Sequence, residues 1–137
     1  MAVALACGAV LALGLLLLPK QAPAPYTELY FTDSLARLNG TISMPAGAKL
    51  VAPVAVRIRP AARADYIIGA KLDGVTFAWP RRISVPKSGN WKGSVTGVVG
   101  ESGCLHHLVI DLLDHSGGST VASLGLWIQA RRAGCPG

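Results

Sequence analysis

At 137 residues the chain has room for one domain and little more. With 15% charged and 51% hydrophobic residues and a mean hydropathy of +0.44, its composition excludes the polar, charge-rich make-up of a disordered chain. The net charge of +6 comes from scattered Lys and Arg with no surrounding DNA- or RNA-binding motif, so nucleic acid is not an expected partner.

The first element is residues 1–18 (MAVALACGAVLALGLLLL), which hold no charged or polar side chain except the thiol of Cys7. As a helix, 18 residues rise about 27 Å, close to the roughly 30 Å of a bilayer core. Pro19 and Lys20 end the run, and residues 19–25 read as a stiff, Pro-rich spacer. A cleaved signal peptide would need a basic n-region, which is missing, and the A-x-A pattern at Ala22-Pro23-Ala24 is followed by a proline. A lipoprotein signal at Cys7 leaves only six residues before it. An uncleaved transmembrane anchor fits best, with secretion after signal cleavage as the alternative. Lys and Arg flank the span only on its C-terminal side, which taken literally favours a cytoplasmic domain. The cysteines and the domain type argue for the extracytoplasmic side instead.

Residues 26–137 read as one all-β domain. Tyr26 to Thr32 alternates large apolar and polar residues as a first strand, and Ser34 to Leu38 allows one helical turn at most. Leu50, Ala52, Val54, Val56 and Ile58 share one face of a second strand, with Arg57 and Arg59 on its wet side. Tyr66, Ile68, Ala70 and Leu72 repeat that pattern, and Asp73-Gly74 predicts a hairpin turn into Val75-Thr76-Phe77. Pro80 makes Ile83 to Val85 an edge or bent strand. Ser88-Gly89-Asn90 turns the chain into Trp91 to Val99. Leu105 to Leu113 is the most apolar strand and is expected to be central, and Val121 to Ala130 is the last. About seven short strands between Gly, Pro, Asn and Asp turns predict an immunoglobulin-like β-sandwich. The Cys–Trp–Cys order of antibody domains is absent, because Trp91 precedes Cys104.

Cys104 and Cys135 are the two domain cysteines, and in a small exported domain they are expected to form one disulfide that pins the C-terminus. Two unpaired buried thiols are the alternative. No metal ligation is expected, since no second Cys or His lies within two to four residues of Cys135.

Chemistry could be sought only in Cys104-Leu105-His106-His107 with Asp111, Asp114 and His115. On a strand His107, Asp111 and His115 face one way and His106 and Asp114 the other. Positions i and i+4 are about 13 Å apart, so His107 and Asp111 cannot share a proton or a metal unless the strand bends. No catalytic residue, metal or cofactor is therefore expected, and no GxSxG, HExxH, phosphate-loop or dinucleotide motif is present. Trp127 lies on the face opposite Leu124, Leu126 and Ile128, so it is either exposed or separately buried. If exposed, it marks an interaction surface, for which Arg57, Arg59 and His107 are further candidates. The small basic groups, Arg57/Arg59/Arg63 among them, read as a solvated face or as attraction to anionic lipid or an anionic envelope polymer.

Pro25-Tyr26-Thr27-Glu28-Leu29-Tyr30-Phe31 and the closing Leu126-Trp127-Ile128 resemble a group of actinobacterial membrane proteins of unknown function. These carry a PYTELYF-like stretch after a transmembrane segment and then an extracytoplasmic immunoglobulin-like domain. The resemblance implies location and fold and supplies no activity. The sequence thus leads to two expectations. One is an anchored binding module that contacts an envelope protein or anionic polymer. The other is a small accessory or degenerate hydrolase-type domain using the His107/Asp111 face.

Overall fold

Alternating apolar residues that recur every second position must bury one face, and two such sheets satisfy each other by packing face to face. The computed structural model describes residues 25–37 and 40–136. The expected anchor over residues 1–18 and nearly all of the spacer lie outside these. Among the described residues no helix is long and apolar enough to cross a membrane. The strands are β1 (Tyr26–Phe31), β2 (Thr41–Pro45), β3 (Lys49–Arg59), β4 (Ala64–Leu72), β5 (Val75–Val85), β6 (Asn90–Val98), β7 (Leu105–Leu113) and β8 (Thr120–Arg131). They form a three-stranded sheet in the order β1-β3-β6 and a five-stranded sheet in the order β2-β8-β7-β4-β5. Every pairing is antiparallel except β2 with β8.

The core lies between the sheets. Leu50, Ala52, Val54, Val56 and Ile58 of β3 face Leu108, Ile110 and Leu112 of β7 and Leu126 and Ile128 of β8, all buried. Full burial of one such side chain is worth about 1.5–3 kcal/mol, so this layer dominates stability. At Gly93 an added methyl group would fall on the Trp91 indole; glycine there lets the ring fold over its own strand.

Two features depart from the sequence-based expectation. An additional strand, β2, brings the total among the described residues to eight; it is five residues long and joins the sheet edge in parallel beside β8. Ile83 to Val85 lie at a sheet edge as expected, but Pro80 does not interrupt the stretch: β5 runs unbroken from Val75 to Val85. The β4–β5 pairing instead shifts register between Ile68 and Ala70, and Pro80 packs where a side chain at Gly69 would stand. The helical turn is a short 3₁₀ segment, Asp33–Arg37. The expected Cys104–Cys135 disulfide is formed, joining the entry of β7 to the tail after β8 with 5.4 Å between Cα atoms. Arg132 Nη1 donates to the Glu101 carbonyl at 2.6 Å, holding the tail in the same place.

Candidate functional site

The outward face of the five-stranded sheet is built by residue alternation along β7 and β8. On β7, Leu105, His107, Val109, Asp111 and Leu113 point away from the core; on β8, Val121, Ser123, Gly125, Trp127 and Gln129 do so. The β7–β8 register sets His107 directly opposite Trp127. Their rings stack with centroids 4.2 Å apart and planes 16° from parallel. Gly125 is the next outward residue on β8, and a methyl group there would come within 3.2 Å of His107 Nε2, so the glycine leaves the imidazole its space. Trp127 remains 44% exposed and Leu105 57%. The result is an apolar, aromatic patch of Leu105, His107, Val109 and Trp127, with Lys71 of β4 next to Val109 and Arg131 at the end of β8.

His107 and Asp111 share this outward face but are not brought together. Asp111 accepts a hydrogen bond from the Ser123 hydroxyl across the β7–β8 pair, while His107 stacks on Trp127. His115 lies beyond the strand in the turn to β8. Asp114 does not join His106 either; it organises that turn, accepting from the hydroxyl of Ser116 at 2.7 Å and the backbone N–H of Gly118 at 3.0 Å. Those donors hold its carboxyl below the usual carboxylate range, the Ser116 hydroxyl most of all.

The four candidate surface residues divide between two opposite faces. Arg57 and Arg59 lie on the outside of the three-stranded sheet, away from Trp127 and His107. Arg57 is directly opposite Glu28, with 3.7 Å between their charged atoms, and its guanidinium lies 5.2 Å from the Tyr30 ring centroid and donates to the Tyr30 hydroxyl. Arg57 is thus occupied by its own sheet. Trp79 is 83% exposed, on edge strand β5.

One arrangement has no counterpart in the sequence reading. His106 points into the protein, 4% exposed, and its Nδ1 lies 2.6 Å from Oδ2 of Asp73 in the β4–β5 turn. The other carboxylate oxygen of Asp73 accepts the backbone N–H of His107 at 2.8 Å, and the Asp73 N–H donates to the His107 carbonyl. The N–H of His107 first, and then the His106 ring, hold the Asp73 carboxyl below its ordinary value. With Nδ1 of His106 engaged by Asp73, its other ring nitrogen, Nε2, is buried without a partner. The signal in the sequence is parity: His106 shares the inward face of Leu108, Ile110 and Leu112 and so requires a polar partner from elsewhere. Only the fold shows that the partner is a turn residue 33 positions away. Among the described residues, no three His, Cys, Asp or Glu side chains are grouped to hold a metal ion.

No family model and no curated protein matches the chain. Among solved structures it is similar to a family 123 glycoside hydrolase from Clostridium perfringens, described for glycolipid glycan hydrolysis. The identity is 7% and the TM-score 0.47, and the match covers 80% of this chain and 28% of that enzyme, so the chain spans little more than a quarter of its length.

Proposed function

We propose that this protein is a membrane-anchored, extracytoplasmic binding module of immunoglobulin-like type that engages a partner protein of the cell envelope and performs no catalysis. The observation that carries the reading is the half-exposed Trp127, stacked on His107 in the middle of an apolar outward face. Exposed aromatic side chains with a rigid backing are the residues that most often dominate association energies. Lys71 and Arg131 at the edges of this patch favour a partner whose apolar contact has an acidic rim.

The immunoglobulin-like reading is supported by strand order. Naming β1 to β8 as A, A′, B, C, C′, E, F and G gives sheets A-B-E and A′-G-F-C-C′, and pairing of C with F and F with G is the arrangement of that sandwich. The extracytoplasmic reading rests on the apolar run over residues 1–18 and on a disulfide of a kind that persists in oxidising compartments. Catalysis by the His107/Asp111 face has little support, because each residue is engaged by a different neighbour.

The reading is tested by affinity capture from detergent-solubilised membranes with the wild type, Trp127→Ala and Arg57→Ala. A partner retained by the wild type and Arg57→Ala and weakened at least about 10-fold by Trp127→Ala supports it; identical partner sets for all three contradict it. Location is checked separately on intact cells. After mild reduction, a membrane-impermeant thiol reagent should label Cys104 and Cys135, and no labelling until the cells are lysed would place the domain on the other side.

A further inference from the structure

Strand directions decide which end of the sandwich the chain enters. Tyr26 opens β1 opposite Arg59, the last residue of β3, and Asn90 opens β6 opposite Arg57. Ala64 of β4 pairs with Val85 of β5 at this end, where β7 also finishes and β8 begins, with Leu113 opposite Thr120. The chain therefore enters at the end that carries the 60–63, 86–89 and 114–119 connections. Residues 19–25, between the apolar run and β1, number seven and reach at most about 25 Å. A membrane that holds residues 1–18 lies within that reach of this end.

Two of the connections form one basic surface. The N–H of Ile58 donates to the Gly89 carbonyl at 2.7 Å, and a methyl group at Gly89 would stand 2.9 Å from Cα of Ala61. The 86–89 turn is thus packed against the 60–63 loop, which brings Lys87 to the same surface as Arg59 and Arg63. Arg63 and Lys87 are exposed, and neither is in an ion pair among the described residues. Tyr26, 51% exposed, stands opposite Arg59, and an amphipathic ring of this kind suits the headgroup level of a bilayer. The acids nearby are directed elsewhere. Glu28 lies against Arg57, while Asp65 and Asp114 line a cleft on the five-stranded sheet together with Arg82 and His115.

We propose that the surface of Arg59, Arg63 and Lys87 docks on anionic lipid headgroups of the membrane that holds residues 1–18; the inference rests on that anchor. Each Lys or Arg brought to an anionic surface strengthens the contact about fivefold, and a guanidinium fork matches a lipid phosphate. Docking also orients the recognition patch. Trp127 is seven residues along β8 from Thr120, about 23 Å, with His107 opposite it. A domain seated on its basic end therefore carries Leu105, His107 and Trp127 away from the bilayer, toward a partner.

The test uses the full chain in nanodiscs of phosphatidylcholine, alone or with phosphatidylglycerol, each doped with a gadolinium-chelating lipid. Paramagnetic broadening of backbone amide signals is read by NMR. In anionic discs the broadening at Ala61, Arg63 and Lys87 should be at least about threefold greater than in neutral discs, with Gly74 and Gly103 at the far end unaffected. The excess should collapse in about 0.5 M NaCl, where the Debye length falls to about 4 Å. Arg63→Gln combined with Lys87→Gln should remove it. Lys49→Glu, the same change in net charge at the far end, should keep it. Equal broadening in the two lipids, or an excess untouched by the glutamine pair, overturns the inference and leaves the anchor standing. Alkaline carbonate extraction of the chain from liposomes of both compositions reads the anchor separately: loss from both refutes anchoring, and the inference falls with it.

Discussion

The two faces of β7 make opposite use of the same backbone. Inward, Leu108, Ile110 and Leu112 are wholly buried against the facing sheet, and each is held by its shape. Outward, Leu105, His107 and Val109 meet only neighbours in their own sheet, and Leu105 and the adjoining Trp127 remain open to solvent. The comparison teaches where to expect stability and where to expect recognition. It also isolates His106, the one polar residue in the inward row, whose position depends on Asp73 rather than on packing.

Substitutions should separate the two faces by size of effect. Ile110→Ala removes a fully buried side chain from the centre of the core and should cost about 4 kcal/mol in chemical denaturation. A loss under about 1 kcal/mol would mean that the sheets are not packed as described. Cys135→Ser should cost about 3 kcal/mol, because the bridge closes residues 31 apart in sequence, and reduction of the wild type should reproduce it.

Asp73→Asn should cost less, about 1 kcal/mol at neutral pH, since the carboxylate is half exposed and water screens part of its interaction. Its sign with pH is fixed. A carboxyl whose native pKa is depressed stabilises the fold fully above about pH 4, its unfolded value, and loses that contribution as pH falls through the lower native value. Wild-type stability should therefore fall more steeply than that of Asp73→Asn on acidification below about pH 4. Parallel acid titrations of the two would contradict the role given to Asp73. Smallest of all is Trp127→Ala, expected to change stability by less than about 1 kcal/mol because the indole is half exposed, while removing partner binding.

What the sequence revealed follows from the reach of each signal. The inward row of β3 and the central place of β7 were legible because strand periodicity acts between neighbouring residues. Trp127 and His107 could each be assigned to an outward face, but their stacking depends on the register between β7 and β8, which is fixed by pairing and not by pattern. Arg57 was legible as an outward residue for the same reason, yet its engagement by Glu28 and Tyr30 depends on the β1–β3 register. Strand β2 escaped because its alternation of Ile42 and Met44 with Thr41, Ser43 and Pro45 spans only five residues, too short a run to stand out without the pairing with β8. The Asp73–His106 pair is a long-range contact of the same kind: the Asp-Gly turn was readable, its second role was not.

The central claim, that the outward face of the five-stranded sheet is where the protein is recognised, is tested most directly by photocrosslinking in intact cells. A photoreactive residue is placed at position 105 or 127, and for comparison at Val51 or Lys92 on the outside of the three-stranded sheet. The account predicts one discrete crosslinked protein from positions 105 and 127 and none from 51 and 92. The same product from all four positions, or a product only from 51 and 92, would contradict it.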